Sequence, residues 1–428
     1  MTDGKMINDP VHGFIKVPPG LLLDIVNHPL MQRLTRIKQL GLASVVYPSA
    51  QHTRFQHSIG AFHLMSEAIR SLQQKGIFIF DSEAEAVCAA ILMHDIGHGP
   101  FSHVLENTLI HGITHEEISL MMMEQINHEM NGALNLAMII YKDEYNKKFL
   151  HQLISSQLDM DRLDYLRRDS FFTGVQEASI GSDRIIKMLD VVDDRLVVNA
   201  KGIYSIENYL TSRRLMYWQV YLHKTTVAYE KLLVNCLTRA RDLALQGKEL
   251  FCTPALRYFL YQHIDAVHFA QHPEALQYYE LLDDSDIWSA IKVWMHDDDK
   301  ILATLASNLV KRILFRVEIY DEQVPEERIQ DIRQLLMDKL SISKEETRYF
   351  VSVNEIHKDM YDIHDDHIDI LLPDGTIKDI SEASDLLYNA IHYYKNSKNY
   401  LCIVYQSILY GIFSKTNSFF FTRNDRGR

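Results

Sequence analysis

The stretch from Leu92 to His103 puts an imidazole and a carboxylate side by side, His94 and Asp95, at the end of an apolar run. Two more histidines, His98 and His103, follow among glycines and a proline. Neutral imidazole nitrogen and carboxylate oxygen are good ligands for a divalent first-row metal. Neighbouring residues on a helix point roughly 100° apart, so His94 and Asp95 share one ion only at a distorted helix end. Gly97, Gly99 and Pro100 supply that end. Three other stretches carry chemistry of the same kind. His57 follows Arg54-Phe55-Gln56 at the beginning of an expected helix, where its ring can point into a pocket. Thr114 and Glu117 have capping-box spacing, which places His115 and Glu116 in a first helical turn suited to anion binding and proton transfer. In 157–169, Asp161, Tyr165 and Asp169 fall at i, i+4 and i+8 and share one helical face, flanked by Arg162 and Arg168. Arg213, Tyr217, Tyr221 and Lys224 line another face. Such a stripe stacks on a sugar or base and grips phosphate, or forms a partly buried aromatic seam with snorkelling cations.

The elements that must hold these residues are mostly helices. Turn chemistry and a short hairpin occupy 7–20, and a helix from about Leu21 is interrupted at His28-Pro29 and resumes from about Leu30 to Leu40. Ile59, Phe62, Met65, Ile69 and Leu72 recur at helical spacing and Gly76 stops the run. Ser82 and Glu85 mark a capping box for the helix that runs into His94. A hairpin is expected over 191–200 and one long helix over about 206–245. From Arg312 onward the pattern becomes β-α-β-β-α-β, pointing to a small ferredoxin-like α+β module for regulation or assembly. The resulting expectation is a mostly α protein in three segments: 1–250 with the chemistry, a helical connection over 251–310, and an α+β domain over 311–428.

Composition narrows the function. The 428 residues carry a formal net charge of −13, which argues against a protein that coats nucleic acid. Four cysteines stand far apart with no CxxC pair, so a reducing cytoplasm is expected. No signal-peptide pattern opens the sequence, and no apolar run reaches the roughly 20 residues of a membrane span.

Taken together, Arg54-Phe55-Gln56-His57, His94-Asp95, Thr114-His115-Glu116 and Asp159-Met160-Asp161 resemble the HD-domain phosphohydrolase superfamily. Within it, the sequence is most similar to the SAM-and-HD-domain-type deoxynucleoside triphosphate triphosphohydrolases, as a bacterial relative lacking the SAM domain. Asn8 to Gly13, Gln32-Arg33-Leu34, Ile37 to Gly41, Leu163-Asp164-Tyr165 and Tyr221 to Lys224 extend the resemblance across roughly residues 5–245. It implies hydrolysis of dNTPs to deoxynucleoside and inorganic triphosphate, with a divalent transition metal (Fe, Mn, Zn, Ni and Co all being compatible) and Mg accompanying the triphosphate. It implies a metal held by His57, His94, Asp95 and Asp161. His98, His103, His115 and Glu116 would take phosphate and catalytic roles, with Glu106 in support. Arg54, Arg162, Arg213 and Lys224 would bind the triphosphate. Gln39, Leu40, Tyr165, Asp169, Tyr217, Tyr221 and His223 would frame the sugar and base. Arg162 replaces a lysine, Tyr217 a histidine and Leu222 a glutamine, so base preference does not carry over.

The resemblance also implies a homo-oligomer, dimer or tetramer, and a nucleotide activator. Asn27 and Thr35 stand where regulated members carry a guanine-reading aspartate and an arginine, while Lys5, Asn8 and Gln32 remain. Strict GTP dependence is therefore not expected. The rival readings are an HD phosphohydrolase of another nucleotide phosphate ester, and a nucleotide sensor or nucleic-acid binder with little catalysis.

Overall fold

The computed structural model describes residues 4–101, 103–106, 108–320, 323–356, 367–386 and 400–406. The chain forms two compact units, each assembled from separate stretches: 1–226, 252–290 and 358–397 in the first, and 227–251, 291–357 and 398–428 in the second. The structure is mostly α-helical, and no helix among the described residues is long and apolar enough to cross a membrane.

The first unit opens with an antiparallel hairpin, Lys5–Asp9 against Gly13–Val17. Asp9 Oδ1 closes its turn by accepting the backbone N–H groups of Val11 and His12, each at 2.9 Å. The helix Leu21–Asn27 stops at His28, and Pro29 starts the next, as the missing proline N–H requires. That second helix ends at Arg33 rather than Leu40 and gives way to a tight turn over Leu34–Arg36. The chain beyond extends to pair with the entry to the next helix: Gln39 N–H reaches the His52 carbonyl and Arg54 N–H the Ile37 carbonyl, both at 3.0 Å.

Three helices make the centre of this unit. Arg54–Gln74 begins with a reciprocal capping box of Thr53 and Gln56 and buries Ile59, Phe62, Met65, Ile69 and Leu72. Asp81–Met93 packs against it. Its start is secured by Glu83, which accepts Phe80 N–H at 2.9 Å, two residues earlier than the Ser82–Glu85 spacing predicts. Met160–Thr173 crosses the first helix at Gly60, where any Cβ would run into the Asp164 carboxylate and the Arg168 guanidinium.

The long helix expected over 206–245 is broken. Ile203–Met216 widens into a π turn at Tyr217–Tyr221, and Lys224–Leu245 starts afresh. The widened turn redirects the tyrosines that a straight helix would hold in one stripe.

Among the described residues the ferredoxin-like arrangement is not formed. Asp369–Leu371 leaves the other C-terminal strands and pairs in parallel with Arg195–Asn199, so the 189–199 hairpin becomes a four-stranded sheet of the first unit together with Ile377–Asp379. The second unit keeps a three-stranded antiparallel sheet with Tyr400–Gln406 between Phe315–Tyr320 and Val351–Ile356. Strand propensity marks which residues extend but not which neighbour they find. Leu302, Leu305, Leu309, Ile332, Leu336 and Phe350 are buried in that unit.

Candidate active site

The site lies in the first unit, where one helix end and two helix starts meet. His94 caps the C-terminus of Asp81–Met93, and its Nδ1 lies 2.7 Å from the Ile91 carbonyl. A carbonyl only accepts, so Nδ1 carries the proton and Nε2 offers a lone pair. His57, in the first turn of its own helix, sets Nδ1 2.8 Å from Asp164 Oδ2, which likewise leaves Nε2 as the acceptor. The two Nε2 atoms stand 3.2 Å apart. Asp161 Oδ1 lies 3.0 Å from the first and 3.4 Å from the second. Three lone pairs thus converge on one point, an arrangement that repels itself unless a cation sits among them. His57, His94 and Asp161 form a group with metal-ligand spacing. Burial alone would lower the His57 pKa, but Asp161 and Asp164 outweigh it and raise it to about 10, the protonic expression of the same demand.

Asp95 stands at the edge of this group. Its Oδ1 is 3.4 Å from His94 Nε2, and its Oδ2 is held by Arg54 Nη1 at 2.6 Å. Its carboxyl is kept well below the usual range: burial opposes this, and the neighbouring His98 and His94 rings and the Arg54 guanidinium prevail.

The glycine-rich loop after His94 is pinned from below. Arg33, itself buried, donates to the His98 carbonyl at 2.8 Å, and Tyr279 OH donates to the Gly97 carbonyl at 2.7 Å. Gly97 packs so closely on the backbone of His115 and Ser119 that no Cβ fits. The His98 and His115 rings meet at a tilt of 33°, with centroids 3.8 Å apart. Their charges differ. Burial and the nearby Arg54 charge push His98 down to about 3, so its ring is neutral at ordinary pH. His115 lies 3.1 Å from both Glu106 and Glu116, whose carboxylates outweigh its partial burial and lift it to about 9. Glu116 in turn is held down to about 2, chiefly by its hydrogen bond with His115. The Thr114–Glu117 capping box that presents this pair is formed in both directions. The His103 side chain lies outside the described residues.

An aromatic wall continues from His57. Tyr165 lies edge-on to it at 6.4 Å, Tyr221 edge-on to Tyr165 at 6.4 Å, and Tyr217 edge-on to Tyr221 at 5.1 Å. Asp169 fixes the wall by accepting Tyr221 OH on Oδ2 and His52 Nε2 on Oδ1, both at 2.7 Å. The face carrying Asp161, Tyr165 and Asp169 is thus one surface in space. Gln39 keeps a buried Oε1 without a hydrogen-bond partner, next to a partly exposed Leu40. Arg213 reaches Gln157 Oε1 at 2.6 Å, and Arg162 is tied to Asp159 and the Ser156 carbonyl. His223 accepts Thr225 N–H at the start of the following helix, and Lys224 is exposed there. Neither has a described contact with the metal-ligand group.

Reading the sequence leaves a layer behind the ligands unassigned. Asp164, fully buried, accepts His57, His12 at 2.6 Å and Arg168 at 2.9 and 3.0 Å, and Arg168 continues to Asp9 at 2.7 Å. The available signal was the i, i+4 spacing of Asp164 and Arg168 between buried leucines. Asp164→Asn keeps the shape but replaces a carboxylate behind a ligand imidazole with an amide, removing the anion that makes His57 a strong donor. Metal affinity is expected to fall about 10–100-fold. Titration of the apo protein with a divalent metal, read calorimetrically, checks this. An unchanged affinity in a folded variant would remove Asp164 from any role behind His57.

Residues 54–193 match the HD domain family, and residues 180–251 the HD associated region. Uncharacterized protein YwfO of Bacillus subtilis (strain 168) is 31% identical over 404 residues, covering 90% of this chain and 89% of the relative. A crystal structure of a phosphohydrolase from Bacteroides thetaiotaomicron VPI-5482 superposes with a TM-score of 0.92 at 62% identity, covering 94% of this chain and 100% of that one. This chain belongs to the HD-domain phosphohydrolase superfamily. The His94–Asp95 dyad lies inside the HD match. HD domains bind divalent metals, and the His57–His94–Asp161 group fits one by donor type and by the convergence described above. Human deoxynucleoside triphosphate triphosphohydrolase SAMHD1 is 31% identical over 282 residues, 56% of this HD protein. The chain spans 45% of that relative's length and 49% of its Dictyostelium discoideum homolog's.

Proposed function

We propose that the chain hydrolyses deoxynucleoside triphosphates to deoxynucleoside and inorganic triphosphate. The observation that carries this reading is the juxtaposition of a cation-demanding group, an imidazole held between two carboxylates and a wall of tyrosines. A metal bound there supplies Lewis acidity and an activated water. Arg54, already beside Asp95, places positive charge where the α-phosphoryl oxygens would gain negative charge. Arg162, Arg213 and Lys224 neutralise the rest of the triphosphate. His115 donates its proton to the departing 5′-oxygen, with Glu106 and Glu116 holding the ring and His98 packed beside it as a neutral neighbour. Tyr165, Tyr217 and Tyr221 hold the sugar and base, with Gln39 and Leu40 opposite. Two relatives named as deoxynucleoside triphosphate triphosphohydrolases support the substrate class.

The test is product chromatography on a dNTP panel with added metal, with and without GTP. Deoxynucleoside plus inorganic triphosphate, formed without GTP, is the expected outcome. Deoxynucleoside monophosphate plus pyrophosphate would place the cleavage elsewhere and overturn the assignment. Turnover without GTP accords with Asn27, whose amide lies 3.5 Å from Lys5 and offers one acceptor oxygen where a carboxylate offers two.

Sugar discrimination follows from the same wall. The Tyr221 hydroxyl is committed to Asp169, so the ring is held rigidly where a 2′-hydroxyl would crowd it. dNTPs are expected to be cleaved far faster than NTPs, and Tyr221→Ala is expected to shrink the preference by about tenfold or more, since one excluded contact is worth ~1–3 kcal/mol. Equal kcat/KM for dGTP and GTP in the unaltered protein rejects this placement.

A further inference from the structure

The second unit contains a cavity of about 510 Å³, within the size range of small-molecule sites. One wall is the helix Lys300–Lys311, on which Lys300, Thr304, Ser307 and Lys311 fall at i, i+4, i+7 and i+11 and share a face. Lys339, from the last turn of Glu326–Leu340, adds a third ammonium group. Ile301 and Phe350, both buried, provide the apolar lining.

Elsewhere in this unit several cations have carboxylate partners: Arg239 with Asp299, Arg328 with Glu318, Arg348 with Asp242. The three lysines around the cavity have no ion-pair or hydrogen-bond partner for their ammonium groups among the described residues. The acid in the lining, Asp297, is taken by Lys248 and does not offset them. Lys311 and Lys339 complement the dipoles of the helix ends they occupy, but Lys300 stands at a helix start, where the dipole disfavours a cation. In a chain of net charge −13, three unpaired cations around one hollow are a local inversion of the overall charge. Lysine is a point-charge binder of phosphate.

We propose that this cavity binds a nucleoside phosphate, with Lys300, Lys311 and Lys339 on the phosphates and the apolar lining on the base. It shares no residue with the catalytic site proposed above or with Lys5, Asn8, Asn27, Gln32 and Thr35.

Hydrogen–deuterium exchange on the full chain localises the binding. ATP is expected to slow exchange at 299–313 and 339–350, and adenosine at equal concentration is not. The exposed lysines tolerate substitution, so Lys300→Gln combined with Lys311→Gln is expected to raise the half-saturating ATP concentration for those segments about tenfold or more, each tenfold being ~1.4 kcal/mol. The corresponding pair of arginine substitutions is expected to restore it. No slowing in these segments, equal slowing by adenosine, or unaltered half-saturation in the glutamine variant would each overturn the proposal. Protection confined to the first unit reports the catalytic site and also counts against it.

Discussion

His94→Ala is expected to remove both bound metal and hydrolysis from a protein that still unfolds cooperatively. The imidazole has its Nδ1 fixed by a helical carbonyl and its Nε2 aimed at His57 Nε2 and Asp161 Oδ1. Without it, one nitrogen and one oxygen remain from the converging group, too few to hold a first-row ion in competition with water. The loss should exceed the ~10–100-fold that a change behind a ligand costs. His57→Ala carries a second penalty, because it removes one hydrogen-bond partner of the buried Asp164 carboxylate, so His94 is the cleaner position. Elemental analysis of the purified variant, paired with product chromatography, reads both outcomes. Stoichiometric metal retained at this site in His94→Ala would falsify the ligand assignment.

The second large effect concerns proton delivery. His115→Ala is expected to lower kcat by ~10²–10⁴-fold with metal content unchanged, the usual worth of a positioned general acid. The pH profile gives the direction. A general acid works in its protonated form, and the two flanking glutamates lift His115 to about 9, so activity should persist through neutral pH and decline as pH rises through that value. Glu106→Gln removes one of the stabilising anions, lowers the imidazolium pKa and should move the alkaline limb to lower pH. His98, pushed down to about 3, is neutral throughout and cannot supply that limb. A limb that stays in place in both His115→Ala and Glu106→Gln would assign the proton to another group.

Much of the site was legible because its signals are local. His94–Asp95 at an apolar helix end, the Thr114–Glu117 box presenting His115 and the face shared by Asp161, Tyr165 and Asp169 each rest on spacings of a few residues, which helix geometry converts directly into neighbours. The mostly helical class followed from the same periodicities. What was not legible depends on distant partners. Asp164 and Arg168 have partners, His12 and Asp9, that arrive from more than 150 positions away. The turn that interrupts 203–245 has no glycine or proline to announce it, and the tyrosines it redirects looked like a regular stripe. The C-terminal strands were visible as strands. Their division between two sheets was not, because pairing is decided by tertiary contacts rather than by alternation.

That division bears on how the protein is born. The strand Arg195–Asn199 gains its parallel partner from Asp369–Leu371, some 170 residues later. At ~5–20 residues per second, a ribosome delivers that partner roughly 10–30 s after the hairpin has emerged. During that interval the nascent chain carries an unpaired strand edge, the kind of surface that recruits other chains. The first unit is thus assembled in two instalments, its helices early and its sheet late. Chaperone dependence during synthesis should track the 189–199 hairpin rather than the helices that carry the metal ligands.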